Sequence, residues 1–429
     1  MQLLFAQAKQ FSEQLAGSAD TCRGMITASL FYEASTRTRL SFESAMLRLG
    51  GGVISAADMS VSSASKGESL ADTVRVVSGG YADLIVLRHP SEGAAALAAQ
   101  VSSVPVINAG DGAHEHPTQT LCDLYTLWIE KGKIEGLDVV LAGDLRYSRT
   151  IHSFIYALAR FGANIVCVPH PGLELPDYVL QRLREEYGAE PVRADASRLG
   201  EIASSSDAAY ITPKGPHQLS LFTEASGLTV DRVDALYMTR PQTERFGSGD
   251  QVAPFVQMNT KAMSAEPLKH AVVMHPLPRR DEISADLDSD PRSIYFKQAS
   301  RGVPVRMALL AALLGRCELR LEGARAVQQS YRVPEGENPC TNERCISNTE
   351  KRHIQPAFRL ASRIPLRANC GYCSRVLRSA FVGCSTSRHV HAADAPSARK
   401  IRPEHLVFFG DLAAALAHGF TVPRGAVVP

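Results

Sequence analysis

The segment FYEASTRTRLSFESAMLRLGG, residues 31–51, sets three hydroxyl side chains and two arginines in five consecutive positions, Ser35-Thr36-Arg37-Thr38-Arg39, ahead of a helical pattern. Leu40, Phe42, Met46, Leu47 and Leu49 read as a mainly apolar face, and Ser35 or Thr36 is a natural cap in front of it. A helix entrance presents unpaired backbone N–H groups and a partial positive charge, so it favours an anion before any side chain is counted. Arg37 and Arg39 add forked, charge-assisted donors. Taken alone, the same string also fits an ordinary capped helix with a solvated charged face.

Outward from this segment, the chain from residue 24 to about 315 alternates short apolar runs with helical patterns. MITASLFY, ADLIVLR, VPVINA, DVVLAGD, NIVCVPH, AAYIT, DALYMTR and AVVMHPL read as strands. Strands alternating with helices predict parallel sheets covered on both faces, an α/β architecture, and this length predicts two such domains. GAHEHPTQTLCDLYTLWIEKG reads as the helix joining them, and VPVRMALLAALLG as a final helix returning to the first. After Gly315 lysine becomes rare and the alternation stops. The expected boundaries are 1–118 for the first domain, completed by helix 295–315, and 119–294 for the second. A linker (316–334), a small cysteine-bearing domain (335–385) and a tail (386–429) follow, the tail fitting either an added helix or a disordered extension.

Composition narrows the function classes. Of 429 residues 45% are hydrophobic and 21% charged, and the net charge is +2 with basic residues dispersed, which argues against a nucleic-acid partner. No apolar run approaches the roughly 20 residues of a membrane span. The N-terminus, MQLLFAQAKQFSEQLAG, is amphipathic and lacks the apolar core of a signal peptide, so a cytoplasmic protein is expected. In that compartment nine cysteines are thiols or metal ligands rather than disulfides.

VLRHP places Arg88 at the C-terminal end of a strand, where open α/β sheets bind ligands. NAGDGAHEHPTQT brings His116 and Gln119 to the start of the joining helix. A lone histidine is more often structural, but three polar groups reaching strand ends after an anion loop favour a site. FYEASTRTR, VLRHP, HPTQT, GDLRYSRTIHS, YMTRPQTER and MHPLPR, in this order and at these spacings, resemble the catalytic chains of the aspartate carbamoyltransferases. The resemblance spans nearly all of residues 1–315. T-R-P-Q and H-P-L-P-R carry the subfamily reading, because ornithine carbamoyltransferases typically have H-C-L-P-R and a Ser-Met-Gly motif instead.

The resemblance implies two doubly wound parallel-sheet domains. It implies carbamoyl phosphate held by Ser35, Thr36, Arg37, Thr38 and Arg88, with Thr38, Arg88 and His116 polarising the carbonyl. Gln119 and the backbone at Leu277 and Pro278 are then expected to hold its amide group. Arg149, Arg240 and Gln242 match aspartate-binding positions. Lys66, in the loop DMSVSSASKGESLADT, is expected to reach both substrates from a neighbouring subunit, so the catalytic unit is expected to be a homotrimer with shared sites. A single lysine precedes Gly67, where some relatives carry two. No cofactor is expected for the transfer itself.

In the C-terminal region, Cys340, Cys345, Cys370 and Cys373 follow the spacing C-x4-C-x24-C-x2-C, which fits a closed tetrahedral zinc site. Spacing alone leaves a chance pairing open. NPCTNERCIS with NCGYC also resembles the zinc domain of the aspartate carbamoyltransferase regulatory chain, which binds catalytic chains and leaves a higher assembly open here. The stretch from Gly315 to Cys340 is too short for the nucleotide-binding domain that normally precedes that zinc domain, so the usual effector site is expected to be missing. Cys384 lies outside the spacing.

Overall fold

The computed structural model describes residues 1–56, 67–195, 206–212, 234–240, 257–264, 268–319, 331–332, 340–351, 354, 356–363, 366–377 and 381–424. The catalytic-type region runs α1 (Gln2–Glu13), β1 (Ile26–Phe31), α2 (Thr36–Arg48), β2 (Gly52–Ala56), α3 (Leu70–Ser78), β3 (Leu84–His89), α4 (Ala94–Val101) and β4 (Val106–Asp111). It continues with α5 (Pro117–Lys131), β5 (Asp138–Gly143), α6 (Arg149–Arg160), β6 (Asn164–Pro169), α7 (Asp177–Tyr187), β7 (Val192–Arg193), β8 (Ala208–Thr212), β9 (Ala235–Met238), β10 (Val272–Met274) and α8 (Tyr295–Leu313). Two compact units emerge. One contains residues 1–24, 36–52 and 108–311, the other 25–35, 53–107 and 312–429.

The first unit is built on a six-stranded sheet of order β10-β9-β8-β5-β6-β7, with every pairing parallel. Strand β5 pairs with both β6 and β8, so the order reverses beside it, and the crevice beyond the carboxyl ends of β5 and β8 is where such sheets bind ligands. The runs that form β5, β8 and β9 are apolar on both faces because helices cover both sides, and β8 and β9 are buried at every position. Helix α8 lies close to α5, with Gly302 so near that a Cβ there would stand 3.2 Å from Cys122 Sγ. The Arg306 guanidinium of α8 also stacks over Phe42 of α2, 5.0 Å from the ring centroid. On α2 itself, Phe42, Met46 and Leu49 are buried, but Leu40 and Leu47 are 51% and 61% exposed, so the expected single apolar face is split in two.

The second unit holds β1 and β3, paired in parallel from Thr27–Leu84 to Phe31–Arg88 within a sheet of order β2-β1-β3-β4. Strand β4 spans the division between the units. The C-terminal region completes this unit. Strands β11 (Tyr331–Arg332), β12 (Ala357–Arg363) and β13 (Leu366–Cys370) form one antiparallel sheet, and β14 (Phe381–Cys384), β15 (Val390–Ala392) and β16 (Leu406–Phe409) form another. Strand β14 is central in the latter, so residues before and after position 385 share a sheet. The tail is therefore folded through residue 424, and its core of Phe381, Val390, Phe409, Ala415 and Phe420 includes the short helix Leu412–Ala417, capped by Asp411.

One apolar core joins these parts. Leu70, Val74 and Val77 of α3 and Leu97 of α4 pack in the same cluster as Ile346, Phe358, Tyr372, Val382 and Phe408. Glu92, fully buried between β3 and α4, bonds to Asn342 Nδ2 (2.9 Å) and Arg375 (3.2 Å), while its backbone pairs with Arg344 and Ile346. Its neighbour Gly93 has φ 83°, and a Cβ there would fall 2.5 Å from the Tyr372 carbonyl carbon. Only glycine meets both conditions without strain.

Candidate active site and metal centre

Helix α2 starts at Thr36, which places Ser35 immediately before it and Thr38, buried, in its first turn. Arg37 is exposed, and partial burial together with the positive field of Arg240 lowers its pKa. Arg240 follows β9, and Arg37 in turn depresses the pKa of His275, which follows β10. Two arginines from distant parts of the sequence are thus near enough for one to feel the charge of the other. Arg39 takes a separate direction, with Nε 3.9 Å from Glu43 one helical turn on. Glu43 stands at the i, i+4 spacing that favours such a pair, and Glu33 binds Arg88.

Arg88 is 7% exposed near the end of β3, paired across the sheet with Phe31, and its Nη2 donates to Glu33 Oε1 at 2.9 Å. Ser35 follows β1 at the same sheet edge, since β1 and β3 run in parallel. In the other unit, His116 occupies the N-cap position of α5 with its backbone N–H on Ser153 Oγ (2.9 Å), and Pro117 begins the helix. Gln119 is three residues on, its Nε2 donating to Asp123 Oδ1 at 2.8 Å. Arg149 opens α6 directly after β5 and donates to the Gly112 carbonyl at 2.8 Å. Lys66 and Gln242 lie outside the described residues.

The segment His275-Pro276-Leu277-Pro278-Arg279 has a definite polarity. Leu277 N–H donates to His275 Nδ1 (2.8 Å), so His275 carries its proton on Nε2, where it meets Glu282 Oε1 at 2.8 Å. Burial lowers the His275 pKa and keeps the ring neutral. With the Leu277 N–H engaged and Pro278 lacking one, the turn has carbonyl oxygens left to offer, the right chemistry for an incoming NH2 group. Arg279 is held against Asp288 and Tyr295 and so supports the turn from outside.

In the second unit the four predicted cysteines converge. All four are buried, and their sulfur atoms lie within 4.8 Å of one another, with Cys340–Cys373 at 3.6 Å and Cys345–Cys370 at 3.7 Å. These separations are far beyond the roughly 2.05 Å of a disulfide. They match the edge of about 3.8 Å expected for a tetrahedron with metal–sulfur bonds of about 2.3 Å. Four thiolates in that arrangement fit a closed structural metal site. Cys384 is not among them.

The carbamoyl-P binding domain of aspartate/ornithine carbamoyltransferases matches residues 1–129, and their Asp/Orn binding domain matches residues 135–313. The metal binding domain of the aspartate carbamoyltransferase regulatory chain matches residues 336–382. The chain is 46% identical to the aspartate carbamoyltransferase catalytic subunit of Thermoplasma acidophilum over 301 residues, 70% of this chain and 88% of that one. Against that of Clostridium botulinum it is 43% identical over 318 residues, 73% and 93% of the two chains. Among solved structures, the M. jannaschii aspartate transcarbamoylase catalytic subunit superposes with a TM-score of 0.57 at 41% identity, covering 73% of this chain and 93% of that one. The Trypanosoma cruzi enzyme in complex with carbamoyl phosphate and aspartate gives 0.57 at 33% identity, covering 72% and 90%. The chain belongs to the aspartate carbamoyltransferase family, and it carries a metal-binding domain of the regulatory-chain type in the same polypeptide.

Proposed function

We propose that this chain transfers the carbamoyl group of carbamoyl phosphate to the α-amine of L-aspartate, giving N-carbamoyl-L-aspartate and phosphate, an early step in making pyrimidines. The observation that carries the residue assignment is the α2 entrance, where Ser35 stands just before the first turn, Thr38 is buried within it, and Arg37 is exposed there. Ser35, Thr36, Arg37 and Thr38 at the α2 entrance, with Arg88, take the phosphate. Thr38, Arg88 and His116 polarise the carbonyl oxygen as negative charge builds there. Gln119 and the carbonyls of Leu277 and Pro278 accept from the carbamoyl NH2. Arg149, Arg240, Gln242 and Lys66 receive the aspartate carboxylates.

The amine nitrogen attacks the carbonyl carbon, forming a C–N bond. Phosphate then leaves with the electron pair of the broken C–O bond and takes up the proton that the amine nitrogen sheds. Rate enhancement comes from holding the reactants in contact and from preorganised positive charge.

We further assign zinc to the four-cysteine site, as a structural ion that fixes the two cysteine turns. Exposed Leu40 and Leu47 on α2 support a homotrimer, since a second copy is the natural cover for an apolar face, and Lys66 is then supplied from the neighbouring subunit. None of the nine cysteines is disulfide-bonded, and among the described residues no helix is long and apolar enough to cross a membrane, which supports a cytoplasmic setting.

The deciding experiment offers carbamoyl phosphate with aspartate and with ornithine in parallel. Turnover of aspartate alone is expected, and Arg37→Ala is expected to reduce it by about a hundredfold or more. Turnover of ornithine, or an Arg37→Ala enzyme as fast as wild type, would defeat the assignment.

A further inference from the structure

Asp123 has no substrate-facing role in this mechanism, yet it sits at the junction of the groups assigned to the carbamoyl amide. It lies on α5, one helical turn after Gln119, and is 1% exposed. Its Oδ1 accepts from Gln119 Nε2 (2.8 Å) and from Gln298 Nε2 (2.7 Å), and its Oδ2 accepts from the Tyr237 hydroxyl (2.9 Å). Gln298, itself 1% exposed, turns its Oε1 to the backbone N–H of His275 at 2.9 Å. His275 in turn holds Leu277 N–H.

In its ionised form Asp123 only accepts hydrogen bonds, so each glutamine then presents its NH2 end to it and its oxygen end elsewhere. For Gln119 that frees Oε1. For Gln298 it directs the oxygen to His275, whose bond to Leu277 N–H leaves that turn with carbonyl oxygens to offer. Both sets of acceptors proposed for one NH2 group are therefore set by the same buried carboxylate.

We propose that Asp123 is the positioning residue for recognition of the carbamoyl NH2, acting through Gln119 on one side and through Gln298 and His275 on the other. The proposal rests on the carbamoyl phosphate reading given above. It predicts discrimination by function: the amide end of the ligand depends on Asp123 and the phosphate end does not. Replacement by asparagine keeps the shape but adds an NH2 where three donors already point, which turns at least one glutamine around.

The test uses the full-length protein at a pH above about 7, where Asp123 is ionised, and two probes, phosphonoacetamide, which carries both an anion and an NH2 group, and inorganic phosphate, which carries only the anion. In Asp123→Asn, affinity for phosphonoacetamide is expected to fall by about tenfold or more while phosphate affinity stays within about twofold. Gln298→Leu cuts only the His275 branch and is expected to give a smaller loss of the same kind. It also serves if Asp123→Asn fails to fold. Tyr237→Phe removes a bond that leads to no ligand group and is expected to leave both affinities within about twofold. Unchanged phosphonoacetamide affinity in Asp123→Asn or, where that variant does not fold, in Gln298→Leu overturns the proposal. So does an equal loss for both probes, the mark of a merely structural role. Wild-type protein that binds phosphate but not phosphonoacetamide defeats the carbamoyl phosphate reading itself, and this proposal with it.

Discussion

The carboxylate of Glu350, from the metal-binding region, accepts the backbone N–H of Leu70, the first residue of α3, through both oxygens at 3.1 and 3.0 Å. Ser69 caps the same helix start by accepting from Asp72 N–H. A helix of the carbamoyl phosphate domain is thus closed at its N-terminus partly by a residue nearly three hundred positions downstream. Glu350→Ala is expected to lower stability by about 1–2 kcal/mol, the cost of an N-terminal donor losing a charged acceptor. Urea denaturation of the purified protein checks this; an unchanged midpoint would show that water replaces the carboxylate without loss.

Loss of the metal is expected to reach the same helix. Cys340, Cys345, Cys370 and Cys373 share a core with Leu70, Val74, Val77 and Leu97, so freeing the four thiolates removes support from α3 and α4. Chelation, or Cys340→Ser, is expected to speed amide hydrogen exchange in residues 70–78 and 94–101 along with the cysteine turns. Metal analysis establishes loss of the ion independently. Faster exchange confined to residues 340–377 would mean that the metal region is energetically separate.

Burial pushes the Asp123 carboxyl up to about 7 from its ordinary 3.8, against the lowering effect of bonds from Gln119, Gln298 and Tyr237 and the charge of Arg306. Cys122 and Tyr210 feel its field as well. A raised carboxyl pKa means that the folded protein holds the proton more tightly than the unfolded chain does. The associated stabilisation is complete below pH 3.8 and is lost as pH rises through about 7. Stability of wild type relative to Asp123→Asn is therefore expected to decline between about pH 5 and about pH 8. Denaturation curves at the two pH values decide it, and a constant difference would place the Asp123 titration elsewhere.

Shared sites are open to a complementation test. Neither Lys66→Ala nor Arg37→Ala is expected to be active alone, but a mixture allowed to exchange subunits is expected to regain part of the wild-type rate. In a hybrid trimer some sites combine an intact Arg37 with an intact Lys66. Exchange without recovery would indicate that each subunit builds its site alone.

The strands of both α/β domains were legible because each buried run is apolar and bounded by turn residues. Less visible were β2, whose burial is only partial, and β7, which is two residues long. The tail strands also escaped notice, because FVGC, VHA and LVFF are short and acquire meaning only once β14 lies between β15 and β16. Among candidate site residues, the S-T-R-T-R cluster and the C-x4-C and C-x2-C pairs stand out in the sequence because their chemistry is local. Asp123 was missed because an aspartate within a helix reads as a surface charge. Its place one turn after Gln119, between Cys122 and Leu124, which are both buried, was the available signal. The pairing of Arg88 with Glu33 rested on sheet register, which no linear pattern reveals.

Gly93 against Tyr372, and Glu92 bonded to Asn342 and Arg375, make the contact between the metal region and the β3–α4 turn intramolecular. Where the corresponding metal domain belongs to a separate regulatory chain, its docking obeys mass action and weakens on dilution. Here the linker supplies the partner at a fixed effective concentration, so occupancy is independent of how much protein a cell makes. In this chain the ratio of metal region to catalytic-type region is one to one by synthesis, whatever the level of expression.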